Sequence, residues 1–164
     1  MRTFLTGASG FIGADGLREL LAGGHKVAAL IVPEDRMLRL SDYSGQFTVF
    51  RGFLGDTNSW RQALEEFKPE ACVHLAWFAE PGQYLDSPEN IHSLTASIEL
   101  LEALISIQCR QVVMAGTCAE YDAGFGYLHE DTPALPATMY AASKLACCHI
   151  CLQMARKAGI NLAW

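Results

Sequence analysis

No stretch of this 164-residue sequence is long and apolar enough to span a bilayer, since the longest apolar helical candidate, residues 100–107, is interrupted by Glu102. A charged-then-apolar leader is also missing, from which a soluble, cytoplasmic protein is expected. Basic residues are scarce, 12 against 18 acidic ones. The resulting net charge of −6 argues against a broad electrostatic surface for nucleic acid or an anionic membrane, which would need clustered Lys and Arg. Internal repeats and low-complexity tracts are absent. The six cysteines, at 72, 109, 118, 147, 148 and 151, do not frame loops. Cys148 and Cys151 have a two-residue spacer, but they lie inside a helical pattern with no second ligand pair nearby. Reduced, buried thiols are expected, and no metal site.

What the sequence does contain is half apolar residues, enough for one domain with a real core over residues 1–164. The stretch Leu5-Thr6-Gly7-Ala8-Ser9-Gly10-Phe11-Ile12-Gly13 organises it: an apolar run leads into three glycines spaced three apart and then into a helical pattern carried by Leu17, Leu20 and Leu21. A diphosphate needs backbone N–H donors, and a helix N-terminus supplies them with the favourable end of its dipole. Side chains at Gly7 or Gly10 would hold such a phosphate away, and one at Gly13 would push the helix off the sheet.

Behind the turn, strands and helices alternate. Residues 26–32, 46–51, 71–76, 111–115 and 160–164 read as strands two to six. Thr57-Asn58-Ser59 offers a cap for a helix carrying Trp60, Leu64 and Phe67. Ile91, Leu94, Ile98, Leu101 and Ile105 lay an apolar stripe along a long helix, and residues 139–157 form another. The pattern predicts an α/β fold, a doubly wound parallel sheet with helices on both faces. The segment from Gly116 to Thr138 is too long for a simple connector, and such loops after strands are usually functional.

Two residues in the last helix point to chemistry. Tyr140 and Lys144 are four apart and share one helix face. An ammonium beside a phenol favours the phenolate, so Tyr140 is expected to act as a general acid or base nearer neutral pH than a free tyrosine. Thr117 follows the fifth strand, where ligands sit in open α/β sheets, and its hydroxyl is placed to hold a substrate oxygen against Tyr140.

Thr6 to Gly13, His74-Leu75-Ala76, Thr117 four before Tyr121, and Tyr140-Ala141-Ala142-Ser143-Lys144 together resemble the extended short-chain dehydrogenase/reductase family, in particular its nucleotide-sugar epimerases and reductases. The resemblance covers essentially the whole chain. It implies a Rossmann fold binding NAD or NADP, with Gly7, Ser9, Gly10, Phe11, Ile12 and Gly13 at the diphosphate. It puts Arg36, Phe53 and Leu54 at the adenosine end, and Leu75, Ala76 and Trp77 along the path to the nicotinamide ribose. Tyr140 would shuttle a proton at a carbonyl or hydroxyl while hydride moves to or from the nicotinamide. Lys144 would hold the nicotinamide ribose, and Thr117 would orient the substrate oxygen.

Some positions depart from the family pattern. Val32-Pro33 stands where an acid or an Arg usually meets the adenosine ribose; Glu34, Asp35 and Arg36 follow within reach, and Arg36 with Arg39 tilts the expectation slightly to NADP. Phe53 replaces a usual Asp, shifting adenine recognition to stacking and backbone, and Ser93 aligns with a frequent Asn. Cys118-Ala119 replaces the Asp-Glu pair of the sugar 4,6-dehydratases, which disfavours dehydration. Glu120 reads as a loop carboxylate, either solvated or touching substrate.

The expected protein is therefore an epimerase or keto-reductase of a nucleotide-activated deoxysugar, with a homodimer through helices 89–107 and 139–157. A reductase of small ketones or aldehydes, and a dinucleotide-binding module without catalysis, are the alternatives. Family members run on past the sixth strand into a small substrate domain, so a piece ending at Trp164 is expected to bind a dinucleotide but turn over substrate poorly or not at all.

Overall fold

In the computed structural model, which describes residues 1–164, the first strand is buried on both faces because it becomes the centre of the sheet. Its Thr3, Phe4, Leu5 and Thr6 are all within 1 % of full burial. The elements follow in the order β1 (Arg2–Thr6), α1 (Phe11–Ala22), β2 (Lys26–Ile31), β3 (Thr48–Arg51), α2 (Arg61–Phe67), β4 (Ala71–His74), α3 (Glu89–Ser106), β5 (Gln111–Met114), α4 (Met139–Ala158) and β6 (Asn161–Ala163). All strand pairs are parallel, in the order β3-β2-β1-β4-β5-β6. This is the doubly wound, Rossmann-like arrangement. The chain leaves β1 in one direction toward β2 and returns on its other side at β4, so a crevice opens past the carboxyl ends of these two strands.

The two faces are covered unequally. On one, α2, α3 and α4 bring Trp60, Leu64, Leu100, Leu104, Cys147 and Cys151 onto Phe4, Cys72, Val112 and Met114. On the other, α1 and a 3-10 segment (Leu38–Tyr43) cover the β1–β2 side through Leu17 and Leu40. Val113 on β5 is left 47 % exposed. Helices thus lie on both faces, as expected, but the second face is covered over one half of the sheet.

Four local expectations are corrected. Gln46 belongs to a turn, its side chain donating to Asp42 O, so β3 begins at Thr48. Thr57–Ser59 is a 3-10 turn of its own, with Ser59 Oγ donating to Asp56 O at 2.6 Å, and α2 starts after Trp60 without a side-chain cap. The buried face of α3 is Ala96, Ser97, Leu100, Leu101 and Leu104, rotated from the predicted stripe. Of that stripe only Leu101 is buried, while Ile91 is exposed and Leu94, Ile98 and Ile105 are half-buried. Four of the six cysteines are buried free thiols; Cys118 is exposed and Cys148 half-buried, contrary to the expectation of uniform burial.

Candidate functional site

The glycine turn lies at the carboxyl end of β1. Gly7 has a φ of 72°, and a Cβ there would sit 2.9 Å from Ala76 N, so the turn packs directly on the chain leaving β4. A Cβ on Gly13 would lie 2.0 Å from Gly7 O. Gly13 is therefore demanded by the turn itself as well as by helix placement. Gly10 caps α1 with no side-chain bond, and the first-turn N–H groups of Phe11, Ile12 and Gly13 have no intrahelical acceptor to use. Phe11 and Ile12 are 79 % and 70 % exposed, so this helix end faces open crevice.

At the edge of the turn the loop after β2 brings Asp35 onto Ser9. Ser9 Oγ donates to Asp35 Oδ2 at 2.5 Å, and Met37 N donates to Oδ1 at 2.6 Å. The Ser9 hydrogen bond, aided by Met37 N and by Arg51 and Arg39, holds the Asp35 carboxyl below the usual range. Arg51 Nη1 fixes this loop by donating to Val32 O and Asp35 O at 3.1 and 2.8 Å. Arg36 points to solvent and Arg39 reaches only Ser9 O, at 3.5 Å. The lean to NADP is not supported: the group held by the Ser9 side chain is the Asp35 carboxylate, and Arg39 is spent on the Ser9 carbonyl. Phe53, past the end of β3, is 51 % exposed, and Leu54 O accepts from Trp60 Nε1 at 3.0 Å.

A buried chain of hydroxyls ties this turn to the second loop of the crevice. Thr6 Oγ1 accepts from Leu75 N and Ala76 N, both at 3.2 Å, so its proton goes to His74 Nδ1 at 2.7 Å. Nε2–H of His74 then donates to Ser97 Oγ at 2.9 Å, and Ser97 donates to Ser93 O at 2.7 Å. Every member is satisfied with one neutral tautomer. Burial, reinforced by the Lys144 charge, pushes His74 down to about 3. Because the unfolded chain binds this proton at higher pH than the folded one, stability is expected to fall as pH drops from about 6.5 toward 3. Urea midpoints across that range check it, with a flatter profile for His74→Gln.

The third part of the site comes from β5, the long loop and α4. Thr138 caps α4, accepting from Ala141 N at 3.1 Å, and Tyr140 N donates to Leu85 O at 2.8 Å. The Tyr140 ring meets Tyr84 edge-on at 4.9 Å and Trp77 at 6.4 Å. Asn90 clamps that loop: its Nδ2 donates to Tyr84 O and Ser87 O, and its Oδ1 accepts from Trp77 Nε1 at 2.8 Å. Lys144, 4 % exposed, donates from Nζ to Ala115 O at 2.8 Å and lies 4.0 Å over the Trp77 ring. Burial pushes it down to about 8.

Burial also raises the Tyr140 phenol, an effect the Thr117 hydroxyl partly offsets. The expected lowering by Lys144 is not found, because the ammonium is directed at Ala115 O and the indole face. Glu120 corrects both readings made of it: it is neither solvated nor open to the crevice but 6 % exposed, accepting from Thr117 N at 2.7 Å. Thr117-Cys118-Ala119-Glu120 has capping-box spacing, a signal that could have found it. Beside the loop lies a largely apolar cavity of about 610 Å³ walled by Cys118, Tyr121, Leu128, Leu135 and Pro136. No helix is long and apolar enough to cross a membrane.

The sequence and the fold match known proteins. The NAD dependent epimerase/dehydratase family model matches residues 3–164. The chain is similar to the UDP-glucose 4-epimerase of Mycolicibacterium smegmatis, 32 % identical over 158 residues that cover 89 % of this chain and 49 % of that protein. It is also similar to the dTDP-6-deoxy-L-talose 4-dehydrogenase (NAD(+)) of Aggregatibacter actinomycetemcomitans, at 28 % identity over 88 % of this chain and 52 % of the relative. Among solved structures, the Thermus thermophilus UDP-glucose 4-epimerase in complex with NAD superposes with a TM-score of 0.86 at 27 % identity, over 99 % of this chain and 53 % of that one. The chain spans about half the length of the curated relatives it matches.

Proposed function

The chain belongs to the NAD dependent epimerase/dehydratase family, and on that premise we propose that it forms the NAD-binding and proton-handling part of an epimerase or keto-reductase of a nucleotide-activated sugar. The observation that carries this reading is the convergence of the glycine turn, Thr117, Tyr140 and Lys144 around one crevice at the carboxyl ends of β1, β4 and β5. The residues present fit the cofactor: a helix end with free N–H donors faces the crevice, and the Asp35 carboxylate beside it is a fixed acceptor for ribose hydroxyls.

In this reading Gly7, Ser9, Gly10, Phe11, Ile12 and Gly13 hold the diphosphate. Asp35 takes the place given to Arg36 at the adenosine ribose, with Phe53 and Leu54 along the adenine. Leu75, Ala76 and Trp77 wall the path to the nicotinamide ribose. Bound nicotinamide supplies the hydride acceptor and donor. Tyr140 Oη takes the proton of a sugar hydroxyl as the carbonyl forms and returns it when the carbonyl is reduced, and Thr117 Oγ1 holds that oxygen. Lys144 would hold the nicotinamide ribose through its ammonium, whose partner in the free protein is Ala115 O.

The test is absorbance at 340 nm after mixing the NAD-loaded protein with UDP- and dTDP-hexoses, and the NADH-loaded protein with 4-keto sugars and small ketones. Nucleotide sugars are expected to change the cofactor and simple ketones not to; the reverse would overturn the substrate class. A second reading, a dinucleotide-binding module without turnover, is favoured by the Lys144 ammonium being directed at Ala115 O, and it predicts binding with no change at 340 nm.

Asp35 also sets the cofactor preference. A 2′-phosphate brought to the turn would meet its charge, and one like-charge contact of about 1.4 kcal/mol is tenfold in affinity. NAD is therefore expected to bind at least about tenfold more tightly than NADP, with the gap narrowed in Asp35→Asn. Equal dissociation constants would refute this. The part-exposed flank of α3 with Met139 and Ile150 of α4 supports a homodimer through helices 89–107 and 139–157, to be read from the mass in light scattering.

A further inference from the structure

Asn90, the second residue of α3, is fully buried, although asparagine is a residue that proteins mostly leave in water. A primary amide has two N–H donors and a carbonyl acceptor, and burying it is costly unless they are satisfied. Here all are used, and none on the helix that carries the residue. Oδ1 accepts from Trp77 Nε1 at 2.8 Å, while Nδ2 donates to Tyr84 O at 2.6 Å and to Ser87 O at 2.9 Å.

These partners are spread along the loop that runs from β4 to α3, and two stretches of it touch the crevice groups. The Trp77 indole carries the Lys144 ammonium 4.0 Å over its ring centre. The Tyr84 ring meets Tyr140 edge-on with centres 4.9 Å apart, and the next carbonyl, Leu85 O, accepts from Tyr140 N at 2.8 Å. Asp86, between Leu85 and Ser87, accepts through Oδ1 from Met139 N at 3.3 Å. Ser93, one turn further along α3, steadies the far side of Trp77 by accepting from Phe78 N at 3.1 Å. Loop backbone can be held in many ways, but Asn90 also supplies the acceptor for the indole edge. An indole pinned at Nε1 cannot turn about its side-chain bonds, so its face stays toward Lys144.

We propose that Asn90 is a positioning residue of this site: it fixes the indole on which the Lys144 ammonium rests and the loop that holds Tyr140, so that both stand at the crevice before a ligand arrives. The proposal rests on reading Tyr140 and Lys144 as the groups that meet substrate and cofactor. Asn90 acts on them through Trp77 on one side and through Tyr84 and Leu85 on the other. Asn90→Asp separates these two arms. A carboxylate keeps an acceptor for Trp77 Nε1, but it sets an acceptor against Tyr84 O and Ser87 O, where a donor is required.

The test is read by NMR with no dinucleotide or sugar present. Lysines are isotope-labelled at the ε carbon, and the Lys144 signal is identified by its loss in Lys144→Met. Protons held over an indole face resonate upfield, so this signal is expected apart from those of the exposed Lys26, Lys68 and Lys157. In Asn90→Ala it should collapse onto them. The indole N–H signals of Trp60 and Trp164, which donate to Leu54 O and Glu120 Oε2, should stay in place and report an intact fold. In Asn90→Asp the Lys144 signal should remain upfield while the ring signals of Tyr140, identified by Tyr140→Phe, move. If Asn90→Ala does not fold, the Asn90→Asp pattern decides. A Lys144 signal that stays upfield in folded Asn90→Ala, or Tyr140 signals unmoved in Asn90→Asp, overturns the proposal. Where a nucleotide sugar reduces bound NAD, the Asn90→Ala rate at saturating sugar should fall by about 10²-fold, the effect of a misplacement of about 1 Å, and a wild-type rate would overturn the proposal as well. A wild-type protein without turnover counts against the proposed function alone, and the two NMR signals still decide on Asn90.

Discussion

Gly13→Ala is expected to abolish NAD binding and to lower the melting midpoint, although alanine is the better helix former. The added Cβ would sit 2.0 Å from Gly7 O and 2.8 Å from Ala8 Cα, and both are backbone atoms that no rotamer change can move aside. Relief requires α1 to separate from the turn, which breaks the helix end that would face the diphosphate. Overpacking against rigid neighbours costs about 3 kcal/mol. For a domain of this size that corresponds to a fall of about 6–12 °C. Gly16 on the same helix is the internal control, because a Cβ there meets nothing within 4 Å. Gly16→Ala should stabilise the protein by about 0.5–1 kcal/mol and leave NAD binding intact. Thermal melts with and without NAD separate the two; a Gly13→Ala protein that melts and binds like wild type would show the turn to be looser than described.

Tyr140→Phe is expected to reduce the rate of cofactor reduction by a nucleotide sugar by about 10²–10⁴-fold, the usual contribution of a general acid or base. The substitution removes Oη alone. The ring contacts to Tyr84 and Trp77 remain, as does the Tyr140 N bond to Leu85 O, so fold and NAD affinity should not change. Because burial raises the free phenol, the wild-type rate should increase with pH until the phenolate is populated, and the variant should lose that dependence. Single-turnover traces at 340 nm across pH measure both. An unchanged rate would remove Tyr140 from the chemistry.

The parts of this molecule that were legible from sequence are those where one local rule decides. Periodicity placed the alternating strands and helices, and glycine spacing placed the turn whose backbone approach at Gly7 and Gly13 requires glycine. Tyr140 and Lys144 needed only a helix to share a face, and the end of β5 put Thr117 at the crevice. What was missed depends on contacts distant in sequence. Asp35 displaces Arg36 at the turn because Arg51, arriving from β3, gathers the carbonyls of the intervening loop and so orients it. Lys144 turns from Tyr140 because Ala115 O and the Trp77 face converge on it from β5 and from the loop that Asn90 clamps. The rotated face of α3 follows from Ser97, a polar residue drawn inward by His74, which a hydrophobic pattern cannot register.

A single NAD site built on the Gly7–Gly13 turn is tested by calorimetric titration of NAD into the 164-residue chain. Saturable heat at one NAD per chain is expected, lost in Gly13→Ala and retained in Tyr140→Phe. No heat with the wild-type protein at millimolar NAD, or the same heat from Gly13→Ala, would contradict it.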